Sequence, residues 1–89
     1  MIREVKQFVW EGRPIVNQII VSTEGQDYLV SYGKVVATKG VNGVFLSKDW
    51  NYSRTTAKYV ARFLDRSVKE IKELIRRGIF KVVTDLFIG

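Results

Sequence analysis

The C-terminal third of the chain concentrates side chains that bind anions. Residues 53–81 hold nine cations and three acids, whereas the rest of the chain holds six of each, so the whole net charge of +6 arises in this segment. Lysine and arginine bind phosphates by displacing the counterions around a nucleic-acid backbone, and a local positive field attracts such acidic partners. The cations are Arg54, Lys58, Arg62, Arg66, Lys69, Lys72, Arg76, Arg77 and Lys81.

Aromatic side chains lie close to these cations in the sequence. Trp50, Tyr52 and Tyr59 would supply surfaces on which unpaired bases stack. Together, the two residue types predict a DNA- or RNA-binding surface. A simpler interpretation competes with this one, because solvated helix faces are often rich in lysine and arginine, and aromatic rings often cover the edge of a core. The residues predicted to bind are Trp50, Arg54, Lys58, Tyr59, Arg62, Lys69, Lys72 and Arg76.

Protein binding is the alternative function. Aromatic and arginine side chains are enriched at the centres of protein interfaces, and Trp10, Trp50, Tyr52, Tyr59 and Arg54 would be anchors of this kind if they are exposed. Small domains also form symmetric homodimers, here through an unprotected edge of the predicted sheet. The same residues therefore also fit a protein-interaction module.

Catalytic chemistry has few candidates in this chain. Histidine and cysteine are both absent, which excludes an imidazole base, a Ser-His-Asp triad, a thiolate zinc site and a disulfide framework. Glu70 and Glu73 lie among lysines on a predicted helix, where ion pairing explains them. Ser53 and Lys58 are separated by about 140° around a helix and do not face one another. We therefore expect no enzyme, no metal site and no cofactor.

The length of 89 residues fits a single domain, residues 1–89, because so short a chain cannot support two hydrophobic cores. Its 46% hydrophobic and 27% charged composition is that of an ordinary globular protein. The N-terminal segment is charged, unlike a signal peptide, and no uncharged apolar run approaches the roughly 20 residues that a membrane span needs. We expect a cytoplasmic protein with no membrane partner.

Short β-branched and aromatic runs predict three or four antiparallel strands between residues 15 and 47. Asn42-Gly43 indicates a hairpin, because both residues tolerate the positive φ of a tight primed turn. The earlier segment REVKQFVW is another strand or an arm over the sheet, ended by Gly12-Arg13-Pro14. After Gly78, IFKVV predicts a short terminal strand, and TDLFIG a tail that docks on the sheet.

The hydrophobic period changes to that of a helix after Ser53. A first amphipathic helix runs to Leu64 with Ser53 as its N-cap, and a second begins at Ser67, where a glutamate three residues later completes a capping box. Gly78 would end the second helix in a left-handed conformation. The predicted fold class is α+β: a small, mainly antiparallel sheet of three to five strands with two consecutive short helices packed on one face.

A motif spans Ser31 to Leu64, somewhat over a third of the chain. It comprises a strand that begins with tyrosine and ends near alanine, a turn, a short strand, an aromatic residue, Tyr-Ser-x-Thr-Thr and a helix that ends in Phe-Leu. The matching positions are Tyr32, Ala37, Trp50, Tyr52, Ser53, Thr55, Thr56, Phe63 and Leu64. In this motif the chain resembles a family of small bacteriophage-encoded proteins of unknown function.

The resemblance implies a viral or prophage setting and no catalytic activity. Many small phage proteins bind host machinery, so the alternative function becomes a module that binds or inhibits a host protein. The charge distribution favours the other hypothesis, a nucleic-acid-binding accessory protein that uses a basic helical face.

Overall fold

The computed structural model describes residues 1–88, and these residues form six strands and two helices. In chain order the elements are β1 (Ile2–Trp10), β2 (Arg13–Thr23), β3 (Gln26–Ser31), β4 (Lys34–Gly40), β5 (Phe45–Ser47), α1 (Arg54–Leu64), α2 (Val68–Arg76) and β6 (Lys81–Val83). The strands make one sheet in the order β1-β2-β3-β4-β5-β6. The predicted α+β class and both helices are confirmed. None of the described helices is long and apolar enough to cross a membrane.

The sheet is larger than the three to five strands predicted. The N-terminal segment pairs with β2 rather than lying as an arm, and although β1 ends before Gly12, Arg13 and Pro14 already belong to β2. Pairing is antiparallel from β1 to β5, as predicted, whereas β6 pairs with β5 in parallel. Parallel pairing follows from the connection, because α1 and α2 together form the crossover that a parallel neighbour requires.

The hairpin between β4 and β5 is confirmed, but its turn differs from the one predicted. The Gly43 N–H donates to the Gly40 carbonyl at 3.0 Å, so Val41 and Asn42 are the central residues. The buried side chain of Gln26 holds this loop, since its Nε2 donates to the Gly43 carbonyl at 3.1 Å and its Oε1 accepts the Asn42 N–H at 3.3 Å. A contact from a strand 16 residues away decides the turn.

Both helix starts are confirmed. The Ser53 Oγ accepts the Thr56 N–H at 3.1 Å, and Ser67 and Glu70 form the two reciprocal bonds of a capping box. These bonds satisfy amide groups of the first helical turn that have no partner within the helix. Gly78 takes a φ of +78° just beyond α2, as its predicted role in ending the helix requires.

The helices pack over one face of the sheet, and the main core lies between the two layers. Its members come from four strands, two connections and both helices: Phe8, Leu29, Val36, Ala37, Leu46, Trp50, Ala57, Val60, Phe63, Leu64, Ile71 and Phe80. A smaller cluster of Val21, Tyr28 and Val30 lies on other strand positions, and Ile88 packs against it. Ile88 belongs to the predicted docking tail, whose last residue, Gly89, lies outside the described residues.

Candidate binding groove between the helices

A groove runs along the junction of α1 and α2, which are separated only by a tight connection. It consists of two cavities of about 510 and 430 Å³, and Lys58 and Val68 line both of them. Trp10, at the end of β1, lines the first cavity, and Tyr52 lines the second. We call this surface the helical groove. Its cations are Arg54, Lys58, Arg62, Arg66 and Lys72.

The spacing of the α1 cations explains why they reach one surface. Arg54, Lys58 and Arg62 repeat every four residues and therefore project from one side of the helix. Buried side chains such as Val60 and Phe63 point the opposite side of α1 into the core. Packing of α1 thus turns its basic side outward, while Lys72 of α2 borders the groove from the other helix.

Trp10 supports two of these cations. The Lys58 Nζ lies 4.7 Å and the Arg62 Cζ 5.8 Å from the Trp10 ring, both within cation–π range. Tyr59 contacts the same indole edge-on, with the ring centroids 5.4 Å apart, and contacts Phe8 at 5.6 Å. The aromatic group therefore orients Lys58 and Arg62 without neutralising their charge.

Carboxylates neutralise little of this charge. Within residues 1–88, three ion pairs have a nitrogen–oxygen distance of 4.0 Å or less, and only the pair of Arg66 with Glu70, at 3.9 Å, lies at the groove. Arg54, Lys58 and Lys72 have no such partner among the described residues, nor has Arg62. The acids of the groove, Asp65 and Glu70, lie at the Trp10 end, so the charged residues that line the Tyr52 end are all cations.

The structure separates the eight residues predicted to bind. It brings Arg54, Lys58, Arg62 and Lys72 together along the groove, with Tyr59 half-buried behind them. Trp50 is only 4% exposed and belongs to the main core, so its ring offers no surface for stacking.

The two remaining predicted residues lie on α2 outside the groove. Lys69 is exposed, and Arg76 is exposed but paired with Glu73. Trp10 and Arg66 line the groove but were not among the eight residues predicted to bind: Arg66 was named only as one of the nine cations and Trp10 only as an anchor for a protein partner. The position of Trp10 depends on β1 pairing at the edge of the sheet, which no local pattern near the helices could reveal.

The pKa values of two acidic groups are shifted, and surface ion pairs rather than burial cause both shifts. A hydrogen bond from Arg76 lowers the pKa of Glu73, and one from Lys34 lowers the pKa of Asp49. The same bonds raise the pKa values of the two partners. Within residues 1–88, no group of three or more acidic side chains is placed to hold a metal ion.

A family model described as a family of unknown function (DUF8033) matches residues 5–81. The matched segment runs from β1 to the first residue of β6 and so includes every residue of the helical groove. Comparison with curated proteins and with solved structures found no match. Because the family model covers most of the chain, the protein belongs to this family of unknown function, DUF8033.

Proposed function

We propose that this protein is a nucleic-acid-binding accessory protein that holds a phosphate backbone in the helical groove. One observation carries the proposal: four groove cations have no carboxylate partner among residues 1–88, and two of them are oriented by Trp10. Cations of this kind bind phosphates without reading base sequence. The function is therefore binding rather than catalysis, and it needs no cofactor.

Counterion release makes the proposal quantitative. Four phosphate contacts give a slope of log affinity against log salt of about −3.6 for duplex DNA and about −2.8 for a single strand. Removing two of the cations should roughly halve that slope. A surface that bound its ligand by apolar contact would show no comparable dependence on salt.

The decisive variant is Lys58→Glu with Arg62→Glu, because both side chains are exposed and both contact Trp10. Fluorescence anisotropy of a labelled oligonucleotide at increasing salt should show at least tenfold weaker binding and a shallower slope. The matched control is Lys48→Glu with Lys81→Glu, which changes the net charge equally at exposed positions outside the groove. Failure of the wild-type protein to retain DNA or RNA at low salt would refute the proposal.

The biological setting is a second part of the proposal. The Tyr-Ser-x-Thr-Thr motif at the start of α1 resembles that of small bacteriophage-encoded proteins, which supports a phage or prophage origin and action in the host cytoplasm. A basic groove would serve an accessory role on phage or host nucleic acid in that setting.

Protein binding has its own support at the exposed edge of the sheet. β1 is an edge strand of nine residues, and Ile2, Val5 and Val9 on it are each more than half exposed. Unpaired backbone groups and apolar side chains on an edge favour strand addition by a second chain. The aromatic anchors favour it less, since Trp50 is buried and Trp10 is half-buried.

The edge hypothesis predicts a homodimer or a host-protein complex that persists at high salt and after nuclease treatment. Val5→Lys should abolish it, because a lysine at this exposed edge position opposes strand addition. Light scattering coupled to size exclusion measures the mass directly. A monomer whose host-lysate partners all disappear with nuclease would leave the nucleic-acid proposal as the better one.

A further inference from the structure

A third cavity, of about 340 Å³, lies beside the groove and is lined by Ser31, Tyr32, Lys34, Asp49 and Tyr52. We call it the tyrosine pocket. We infer that it receives one unpaired nucleobase of a single strand whose phosphates follow the helical groove. The inference rests on the proposed function and specifies its ligand: single-stranded rather than duplex nucleic acid.

Continuity with the groove is the first argument. Tyr52 lines the tyrosine pocket and also the cavity that contains Arg54, Lys58 and Lys72. A nucleic-acid strand that leaves the cationic end of the groove therefore contacts the Tyr52 ring next. Single-strand binding sites combine these two parts, a basic track for the backbone and aromatic rings for the bases.

The exposure of the two tyrosines is the second argument. Tyr32 is 57% and Tyr52 61% exposed, so neither ring contributes much to the core. Tyr32 also has a φ of +52° in a two-residue turn with Gly33, at +79°. Asparagine, aspartate or glycine normally occupies such a position, and a bulky residue there is strained. The turn itself does not require an aromatic ring, because Glu11 has the same φ of +52° in the equivalent turn with Gly12, whereas stacking on a ligand would use the exposed ring.

Polar groups in the pocket are the third argument. The Lys34 Nζ lies 2.7 Å from the Asp49 Oδ2, which places a donor and an acceptor side by side at the wall. Nucleobase edges carry donors and acceptors in the same way. The buried Ser31 Oγ has no hydrogen-bond partner among residues 1–88, and the same is true of the side-chain amide of Gln18 on the adjacent strand. A hydroxyl can donate or accept, so Ser31 suits either kind of edge.

Size and accessibility favour an unpaired base. A volume of about 340 Å³ lies at the low end of the roughly 300–1,000 Å³ of small-ligand sites, which matches one ring system. Bases of a duplex are paired and stacked, and entry into the pocket would require one to be flipped out. A single strand has no such barrier.

The test uses the full chain with single-stranded and duplex oligonucleotides of one sequence, in DNA and RNA forms. Tyr52→Ala and Tyr32→Asn each remove one ring, and asparagine suits the positive φ of position 32. Each variant should bind the single strands about tenfold more weakly. Tyr32→Asn, whose position lies outside the helical groove, should bind the duplexes as the wild type does. Phe87→Ala is the matched control, because Phe87 is 77% exposed and lies outside the pocket. The DNA and RNA arms show whether the 2′-hydroxyl matters.

Adenosine and uridine test the pocket without the groove, because nucleosides carry no phosphate. The expected result is a shift of the Tyr32 and Tyr52 ring signals in NMR spectra. The inference would be overturned if single strands and duplexes bound equally well and the tyrosine variants bound both as the wild type does. If Lys58→Glu with Arg62→Glu abolished that binding, the proposed function would stand. Nucleoside binding at the tyrosines without any oligonucleotide binding would overturn the proposed function and the path through the groove.

Discussion

The two helices line the same groove but are held to the protein differently. α1 buries Thr56, Ala57, Val60, Phe63 and Leu64, whereas α2 buries only Ile71. α1 also supplies three of the four unpaired groove cations, and α2 supplies the fourth. The groove thus has one wall fixed by the core and another held mainly by interactions at its own surface.

Local interactions therefore matter more for α2. The helix begins with a capping box and carries an ion pair in its last turn, between Glu73 and Arg76. Its remaining apolar side chains, Val68, Leu74 and Ile75, are half-buried against the core. Elements with few buried contacts open at lower free energy than the rest of a domain. We expect the α2 wall of the groove to be the more mobile one.

The largest effect is expected at α1. Phe63→Ala removes a ring that is 4% exposed and should lower the free energy of unfolding by about 3–5 kcal/mol. A domain of this length has a total stability of roughly 4–13 kcal/mol, so this change removes a large part of it. Urea denaturation measures the loss. Nucleic-acid binding should fall with the folded fraction, and a stable, fully folded variant would show that α1 is not the fixed wall.

A smaller effect is expected at α2. Ile71→Ala empties a fully buried position, yet the free energy of unfolding should fall by only about 2–3 kcal/mol, because a weakly held helix can settle into the space. Amide hydrogen exchange should rise in α2 well before it rises in α1. Equal acceleration in both helices would remove the distinction between the two walls.

The N-caps provide a sharper comparison. Ser67→Ala removes the capping box of α2 and should cost about 1 kcal/mol, with fast exchange confined to residues 68–71. Ser53→Ala should cost a similar free energy but leave α1 protected, because its first turn buries both Thr56 and Ala57, whereas that of α2 buries Ile71 alone. Exchange measured residue by residue separates the two outcomes. Fraying of α1 in Ser53→Ala would mean that its cap, rather than its packing, holds the first turn.

Local patterns in the sequence predicted the parts of the fold that depend on local physics. Both serine caps, the capping box and the glycine after α2 follow from hydrogen bonds and φ preferences within a few residues. The pairing of β1, which brings the sheet to six strands, could not be predicted in this way, because nothing near residues 2–10 shows whether they pair or lie as an arm. The prediction of the turn after β4 was wrong for a similar reason, because the side chain of Gln26 on β3 bonds to the turn.

The candidate site was predictable only in part. The four-residue repeat of Arg54, Lys58 and Arg62 is enough to place these cations on one side of α1. The burial of Trp50 and the contact of Trp10 with two cations depend on which strands pack against the helices. The composition of the chain does not reveal that packing. Charge and period therefore located the surface, whereas tertiary packing decided which aromatic rings belong to it.

The smallest expected effect concerns the ion pair of α2. The Glu73 carboxylate accepts a hydrogen bond from the Arg76 Nε at 2.9 Å, and this bond lowers the pKa of Glu73 below its usual value of 4.5. The stability that the pair contributes is therefore present above the unfolded pKa and is lost as the pH falls through the folded pKa. Because both side chains are exposed, the effect is screened by salt.

Glu73→Gln should remove this acid-dependent part, so that α2 exchange in the variant changes less on acidification below about pH 4.5 than in the wild type. The substitution also frees the Arg76 guanidinium and raises the net charge by one. If Arg76 then reaches a phosphate, the salt slope for duplex binding should steepen by about 0.9. An unchanged slope would place Arg76 outside the binding surface and confine the contacts to the groove, where α1 provides most of the charge.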